Sequence, residues 1–453
     1  MDRYVTRTMS RAPWGEGVAR ILAASIEAVE PRAAVSRALK RSGKSLYADG
    51  RTFALDRIRR IVLVGAGKAG APMARGAAEV LGGELSGGLV IIKDGYAEVS
   101  DLPPSVEIIE AGHPVPDRRG LDGTRRIAAL LRSLSERDLA ICLISGGGSA
   151  LLTLPPDGVS MEDLQETTRL LLSSGAGIEE INTLRRHLDL VKGGGLARMA
   201  YPARVLTLIL SDVVGDPLEA IASGPTAPDP TTFADALAIL DRHGLSSRTP
   251  EGVLRRLRAG VVGAEPENPA PGDPLFERVQ NILIGSNRQA AEAAVRQAEE
   301  EGYRVMLLTT CLEGEAREAG RLLASLARGM ASEGVPVPRP GLIVAGGETT
   351  VRVAGNGLGG RNLEMALGAV RPLAGVSHVG FATLATDGGD GPTGAAGAFV
   401  TGETLARAAA IDLAPEEFLK RNDSFNFFEP LGDLLNPGPT LTNVNDLAFV
   451  FAF

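Results

Sequence analysis

Five glycine-rich turns hold most of the residues in this chain that could do chemistry. Each closes an apolar, strand-like run: GAGKAG (Gly65 to Gly70), SGGGSA (Ser145 to Ala150), LSDVVGD (Leu210 to Asp216), GGET (Gly346 to Thr349) and TDGGDG (Thr386 to Gly391). Glycine lets backbone N–H groups approach phosphate oxygens, and in open α/β sheets ligands lie beyond the carboxyl ends of the strands. Lys68 stands inside the first turn, directly after Gly65 and Gly67, as an ammonium beside an anion site. Ser145, Gly146, Gly147, Gly148 and Ser149 form an uncharged counterpart, an anion cradle with two hydroxyls. Asp212, Asp216, Asp387 and Asp390 are carboxylates in glycine turns, suited to hold Mg²⁺, directly or through water, or to accept a hydroxyl proton. Glu348 lies in GGET. Arg361, with Asn362 beside it, follows two glycines in GGRNLE and is set for bidentate contact with a carboxylate or phosphate. These residue types together read as a site for a phosphorylated, metal-bound ligand.

One motif also supports a different chemistry. Gly65, Gly67 and Gly70 meet the spacing of the dinucleotide fingerprint, and Asp94, near the end of the next strand-like run, could serve as the acidic ribose partner. That combination suits a nicotinamide-dependent reductase, while a nucleotide-binding sensor without turnover would need only the glycine turns. A nucleophile elbow at Ser149 is disfavoured because Leu151 stands where its second glycine is required. No Walker A pattern occurs, so a nucleotide would be cradled in another way. His113, His187, His243 and His378 show no metal spacing, and Cys142 and Cys311 read as buried thiols rather than a disulfide or a nucleophile.

These turns need a scaffold. The runs Ile61 to Val64, Gly88 to Ile92, Val106 to Ile109, Leu139 to Ile144 and Val205 to Leu210 are continuously apolar, as strands buried on both faces of a parallel sheet are. A helix is expected over Gly15 to Arg41, with Pro31 able to break and restart it. Another, through Ile178, Ile181, Leu184, Leu188 and Val191, would carry Arg185, Arg186 and Lys192 on its other face. The stretch 246–274, rich in Pro, Gly and charge, is the linker candidate, and alternation restarts at Asn281 to Ile284. The expectation is an α/β chain of two domains: a Rossmann-like, mostly parallel sheet over 1–245 and a second α/β domain over 275–453.

A length of 453 residues agrees with two cores, and a net charge of −8 argues against a nucleic-acid partner. No apolar run approaches the roughly 20 residues that span a bilayer, and the first residues lack a signal-type core. A cytoplasmic location without membrane association is therefore expected, and a homodimer is compatible with the sequence.

With these motifs in view, the chain resembles the class II glycerate 2-kinases, which pair a Rossmann-like N-terminal domain with a C-terminal domain of the MOFRL type. The likeness runs through VLVGAGKA, EAGHPVPD, LISGGGSALL, INTLRRHLDLVKGGGLA, LSDVVGDPLEAIASGPTAPD, GGETTV, GGRNLEMAL, TDGGDGPT and TNVNDL. The resemblance implies ATP-dependent, Mg²⁺-assisted phosphorylation of the 2-hydroxyl of D-glycerate. It implies Lys68 and Arg361 as essential residues, with Asp212, Asn182, Lys192 and Asp387 lining a cleft between the domains. Asp387 and Asp390 are the expected metal ligands. The chain departs from the family's usual pattern at Gly394, where an acidic residue is customary after GPT, at Leu363, where glutamine is, and in the irregular NPGPTLTNVN stretch.

Overall fold

The computed structural model describes residues 2–96 and 102–453. The chain groups into two compact units, Pro31–Ile284 and Met1–Glu30 with Gly285–Phe453. This division differs from the one read along the sequence. The N-terminal helix Gly15–Glu27 packs against the helix Asn287–Glu300 rather than joining the parallel sheet. Arg20 donates to Glu301 at 2.8 Å and Trp14 stacks on Phe453 with centroids 4.0 Å apart, so both ends of the chain share one core. Pro31 opens a separate short helix, Pro31–Ala38, where its missing N–H costs nothing.

In the Pro31–Ile284 unit an antiparallel meander, β1 (Leu39–Ser42), β2 (Ser45–Ala48) and β3 (Arg51–Ala54), precedes the main sheet. That sheet contains β4 (Arg60–Ala66), β5 (Leu85–Lys93), β6 (Val106–Ala111), β7 (Asp138–Ile144), β8 (Arg204–Leu210) and β9 (Val279–Gly285), in the order β6-β5-β4-β7-β8-β9. Pairs β4–β5, β4–β7, β5–β6 and β7–β8 are parallel. The order reverses between β4 and β7, the topological switch point at which doubly wound sheets bind ligands. Val62, Val64, Leu89 and Ile91 pack against Ile127 and Leu131 on one sheet face, which fulfils the continuous apolar pattern of these strands.

The run at Asn281 to Ile284, expected to open the second domain, is the sixth strand of this first sheet. Nor is 246–274 a bare connector. It contains the helix Glu251–Val261, whose Val253, Leu254 and Leu257 join Phe233, Leu240, Ile181 and Leu184 in a helical core. Its Pro- and Gly-rich part is tied down as well, for Asn268 donates to the Arg186 carbonyl at 3.0 Å and to Asp229 at 2.9 Å.

The other unit holds a mixed sheet of β10 (Arg304–Leu312), β11 (Gly341–Gly347), β12 (Val379–Ala385), β13 (Gly397–Thr401), β14 (Leu434–Leu435) and β15 (Asp446–Ala452), ordered β10-β11-β15-β12-β13-β14. The terminal strand β15 lies antiparallel between β11 and β12, and its first residue, Asp446, is in register with both Gly347 and Ala385. That register brings the start of β15 to the edge where GGET and TDGGDG leave their strands. Leu363, Leu367 and Val370 of the helix Arg361–Leu373 seal one sheet face with Ile343, Phe381 and Val450.

Candidate functional site

At the switch point, GAGKAG leaves β4 and SGGGSA leaves the adjacent β7, with Ala66 and Ile144 in register. Most amides of the first turn are consumed inside the protein. The Gly67 N–H donates to the Ile91 carbonyl at 3.1 Å, Lys68 to the Gly146 carbonyl at 2.8 Å, Ala69 to Ser145 Oγ at 3.0 Å and Gly70 to the Gly67 carbonyl at 3.0 Å. Glycine is required there for packing. A Cβ on Gly65 would lie 2.3 Å from the Leu143 carbonyl oxygen, and one on Gly67, at φ +139°, would lie 2.1 Å from Ser145 Oγ. The structure therefore turns Gly65 toward strand β7 and Gly67 toward the neighbouring turn, and the dinucleotide fingerprint is matched in spacing without its usual exposed amides. Asp94 is held by Arg119 through two hydrogen bonds of 2.7 Å.

The second turn behaves oppositely. Among the described residues, the amides of Gly146, Gly147 and Ser149 have no acceptor. Lys68 projects over this turn: a Cβ on Gly147 would stand 3.6 Å from Lys68 Cγ and 3.0 Å from the His113 ring. Asp212, leaving β8, closes the other side, since a Cβ on Gly146 would meet its Oδ2 at 2.2 Å. Burial pushes the Asp212 carboxyl above the ordinary aspartate range, and Lys68 partly offsets this. His113, driven down to about 4 by burial and then by Lys68 and Lys93, is neutral at physiological pH. Open amides, one ammonium and one desolvated carboxyl thus converge on a small volume, which suits an anion that must be charge-compensated while a proton is taken up.

Behind the turn runs a chain of polar contacts. Ser149 Oγ meets Ser223 Oγ at 2.9 Å, Ser223 donates to Asn182 Oδ1 at 3.3 Å, and Arg185 donates to the same oxygen at 3.4 Å. Ala222 and Ser223 have φ of 51° and 61°, a left-handed conformation that non-glycine residues adopt only at a cost. Lys192, expected to contact a ligand, is committed elsewhere. Its three N–H groups reach Asp189 at 2.6 Å, the Leu152 carbonyl at 2.8 Å and Thr153 Oγ1 at 3.3 Å. Arg186, expected on the face opposite the apolar one, is buried against Asp229 at 2.9 Å.

The second unit builds its own constellation. Arg361 opens the helix Arg361–Leu373, its Nε bonding one Asp446 oxygen, its Nη2 the other at 3.2 Å, and its Nη1 reaching Glu348 at 3.0 Å. A guanidinium has five N–H groups, so two remain for a ligand. Burial opposes the charge on Arg361, but Asp446 and Glu348 outweigh it and raise its pKa, so it stays protonated. Asp390 is spent on the helix start, accepting from the Asn362 N–H at 3.1 Å and the Leu363 N–H at 2.8 Å. Burial raises its carboxyl to about 7, against the opposing pull of those amides. Asp387 is exposed, with one oxygen accepting from the Gly389 N–H at 3.2 Å.

No group of three or more His, Cys, Asp or Glu side chains among the described residues could enclose a metal ion. One or two carboxylates with substrate phosphates are what Mg²⁺ usually takes, and Asp387 fits that donor set better than Asp390 does. Cys142 is buried and its thiol is pushed up to about 12, as expected of an inert group, whereas Cys311 is exposed rather than buried. The strand β10 that carries it is the edge strand of its sheet.

The chain is thus an α/β protein with a doubly wound sheet whose switch point carries unpaired amides, a lysine and a desolvated carboxyl. The chain belongs to the glycerate 2-kinase family. A domain of unknown function, DUF4147, matches residues 17–258 and the MOFRL family matches residues 341–446. A D-glycerate 2-kinase from Thermotoga maritima is 43% identical over 94% of this chain and 95% of its own length. A crystal structure of a glycerate kinase from Thermotoga maritima superposes with a TM-score of 0.85 at 42% identity, covering 96% of this chain and 98% of that one. A putative hydroxypyruvate reductase from Agrobacterium vitis is 42% identical over 86% of each chain. No described helix is long and apolar enough to cross a membrane.

Proposed function

We propose that this chain transfers the γ-phosphoryl group of ATP to the 2-hydroxyl of D-glycerate, giving 2-phosphoglycerate. The observation that carries this reading is the set of unpaired Gly146, Gly147 and Ser149 amides under Lys68 and beside Asp212. Phosphoryl transfer asks for positioning and charge neutralisation more than covalent chemistry. The three amides hold phosphate oxygens, and Lys68 neutralises the phosphoryl group in flight. Asp212, raised by burial, is the better base for it, since its proton affinity lies closer to working pH, and it takes the hydroxyl proton as the bond to phosphorus forms. Arg361 offers its two spare N–H groups to the glycerate carboxylate or to phosphate, with Glu348 and Asn362 beside it. Asp387 would hold Mg²⁺, which supplies charge neutralisation on the phosphate oxygens. Asp390 acts through the helix that begins with Arg361.

The reductase reading draws less support, because the amides that would face a pyrophosphate are consumed and Asp94 is paired. The test is to supply D-glycerate, ATP and Mg²⁺, and separately hydroxypyruvate with NADH or NADPH. Phosphorus NMR should identify 2-phosphoglycerate in the first mixture. Oxidation of the nicotinamide without ATP use would overturn the proposal, and appearance of 3-phosphoglycerate would overturn its regiochemistry.

A further inference from the structure

The Pro31–Ile284 unit contains a cavity of about 440 Å³ that begins at the Gly147–Ser149 turn and extends between the helices Met161–Ser173 and Ile178–His187. Its walls are mostly aliphatic, with Leu164, Leu171, Ile181, Leu184 and Leu188 among them. A three-carbon hydroxy acid needs far less room and offers no apolar face. The volume lies within the roughly 300–1,000 Å³ of sites for larger organic ligands.

Arg185 stands in the lining. Its neighbours Arg186 and Lys192 are paired with Asp229 at 2.9 Å and Asp189 at 2.6 Å, but Arg185 has no carboxylate partner among the described residues, only Asn182 Oδ1 at 3.4 Å. A cation partly withdrawn from water without a counter-ion carries a cost, and an anionic ligand would reduce it. The contacts Arg185, Asn182, Ser223 and Ser149 tie this cation to the turn with the open amides.

We propose that this cavity takes the purine nucleoside of the phosphoryl donor, with the aliphatic walls against the base and Arg185 paired to the phosphate chain that runs toward Lys68. The inference rests on the kinase reading above and adds to it a site for the nucleotide.

The probe is the fluorescent mant derivative of ADP, titrated into the full-length protein. Thr168→Trp, at a lining position that is partly exposed and therefore tolerant of a larger side chain, fills the cavity. It should raise the Kd for mant-ADP and the KM for ATP about tenfold or more, with the KM for glycerate little changed. Arg185→Gln should weaken mant-ADP about 10- to 100-fold, as loss of a charge-assisted bond does, yet leave competition by adenosine unchanged. Wild-type affinity for mant-ADP in a folded Thr168→Trp protein overturns the proposal, as does an Arg185→Gln protein that loses adenosine and mant-ADP equally. Phosphoglycerate formation by the wild type alongside an unchanged Kd in both variants would sink the cavity assignment and leave the kinase reading standing. No phosphoglycerate, but binding abolished by Thr168→Trp, would do the reverse.

Discussion

Asp390 offers a sharp test of how the Arg361 helix is held, because its carboxyl is only 2% exposed and both its oxygens accept from amides at the helix start. Burial moves it from 3.8 to about 7, so between those values the folded protein holds a proton that the unfolded chain has released. Stability therefore falls as pH rises through this window and is flat above it. The full shift corresponds to about 4 kcal/mol, of which about 3 falls between pH 5 and 8. Asp390→Asn cannot titrate, although it sacrifices one amide acceptor at every pH, at about 1–3 kcal/mol. The expected result is a variant clearly less stable than wild type at pH 5 whose deficit shrinks toward pH 8. For a unit of this size about 3 kcal/mol is roughly 6–12 °C in Tm, readable by differential scanning calorimetry of both proteins at the two pH values. A deficit that is constant or grows with pH would mean that the carboxylate is ionised throughout and caps the helix as an anion, which refutes the reasoning.

Four other outcomes follow from the same geometry. Lys68→Ala should lower kcat on the order of 10²-fold or more, about 3 kcal/mol, with a smaller change in KM; steady-state assays showing near wild-type kcat would reduce Lys68 to a solvated turn residue. Lys68→Arg should restore little of that loss, since a planar fork does not replace a compact ammonium in so tight a turn. If Asp212 is the base, the acid limb of kcat/KM lies above the ordinary aspartate range, because burial raises it, and Lys68→Ala moves the limb further up by removing the cation that lowers it; a limb at or below pH 4 argues against Asp212. Arg361→Met leaves Asp446 buried without its partner and should cost about 3–5 kcal/mol, seen as a large fall in Tm; an unchanged Tm would show that the pair is not what holds Asp446.

The strands of the parallel sheet were legible because strands covered on both faces must be apolar throughout, as β4 and β7 are. The glycine turns were legible for a related reason: Gly67 at φ +139° and a separation too small for a Cβ leave no other residue type. The unit boundaries were hidden. The Pro- and charge-rich composition of 246–274 describes its solvent side, and the three residues that anchor the helix Glu251–Val261 contribute too little to a local average to reveal it. The N-terminal helix has an apolar stripe that fits any sheet or helix, and nothing in its own residues selects Asn287–Glu300 as the partner. Cys311 read as buried because its run is apolar, yet an edge strand exposes part of such a run.

The cations show most clearly where sequence reading stops. Lys68, Arg185, Arg186, Lys192 and Arg361 all sit in or beside motifs that could grip an anion. A cation is available to a ligand only if the protein has not already neutralised and hydrogen-bonded it, and that depends on acids brought near by the fold. Asp189, three residues from Lys192, neutralises it while the Leu152 carbonyl and Thr153 Oγ1 take its other donors, Asp229 reaches Arg186 from a distant loop, and no acid reaches Arg185 among the described residues. Arg361 is intermediate, tied by Asp446 from the last strand yet keeping two donors. The same side-chain type therefore serves as a structural pin, a half-spent clamp or an open site according to its unsatisfied valence. That quantity lies in the tertiary accounting of charges and donors, and it is what separates Lys192, which the motif suggested, from Arg185, which it did not.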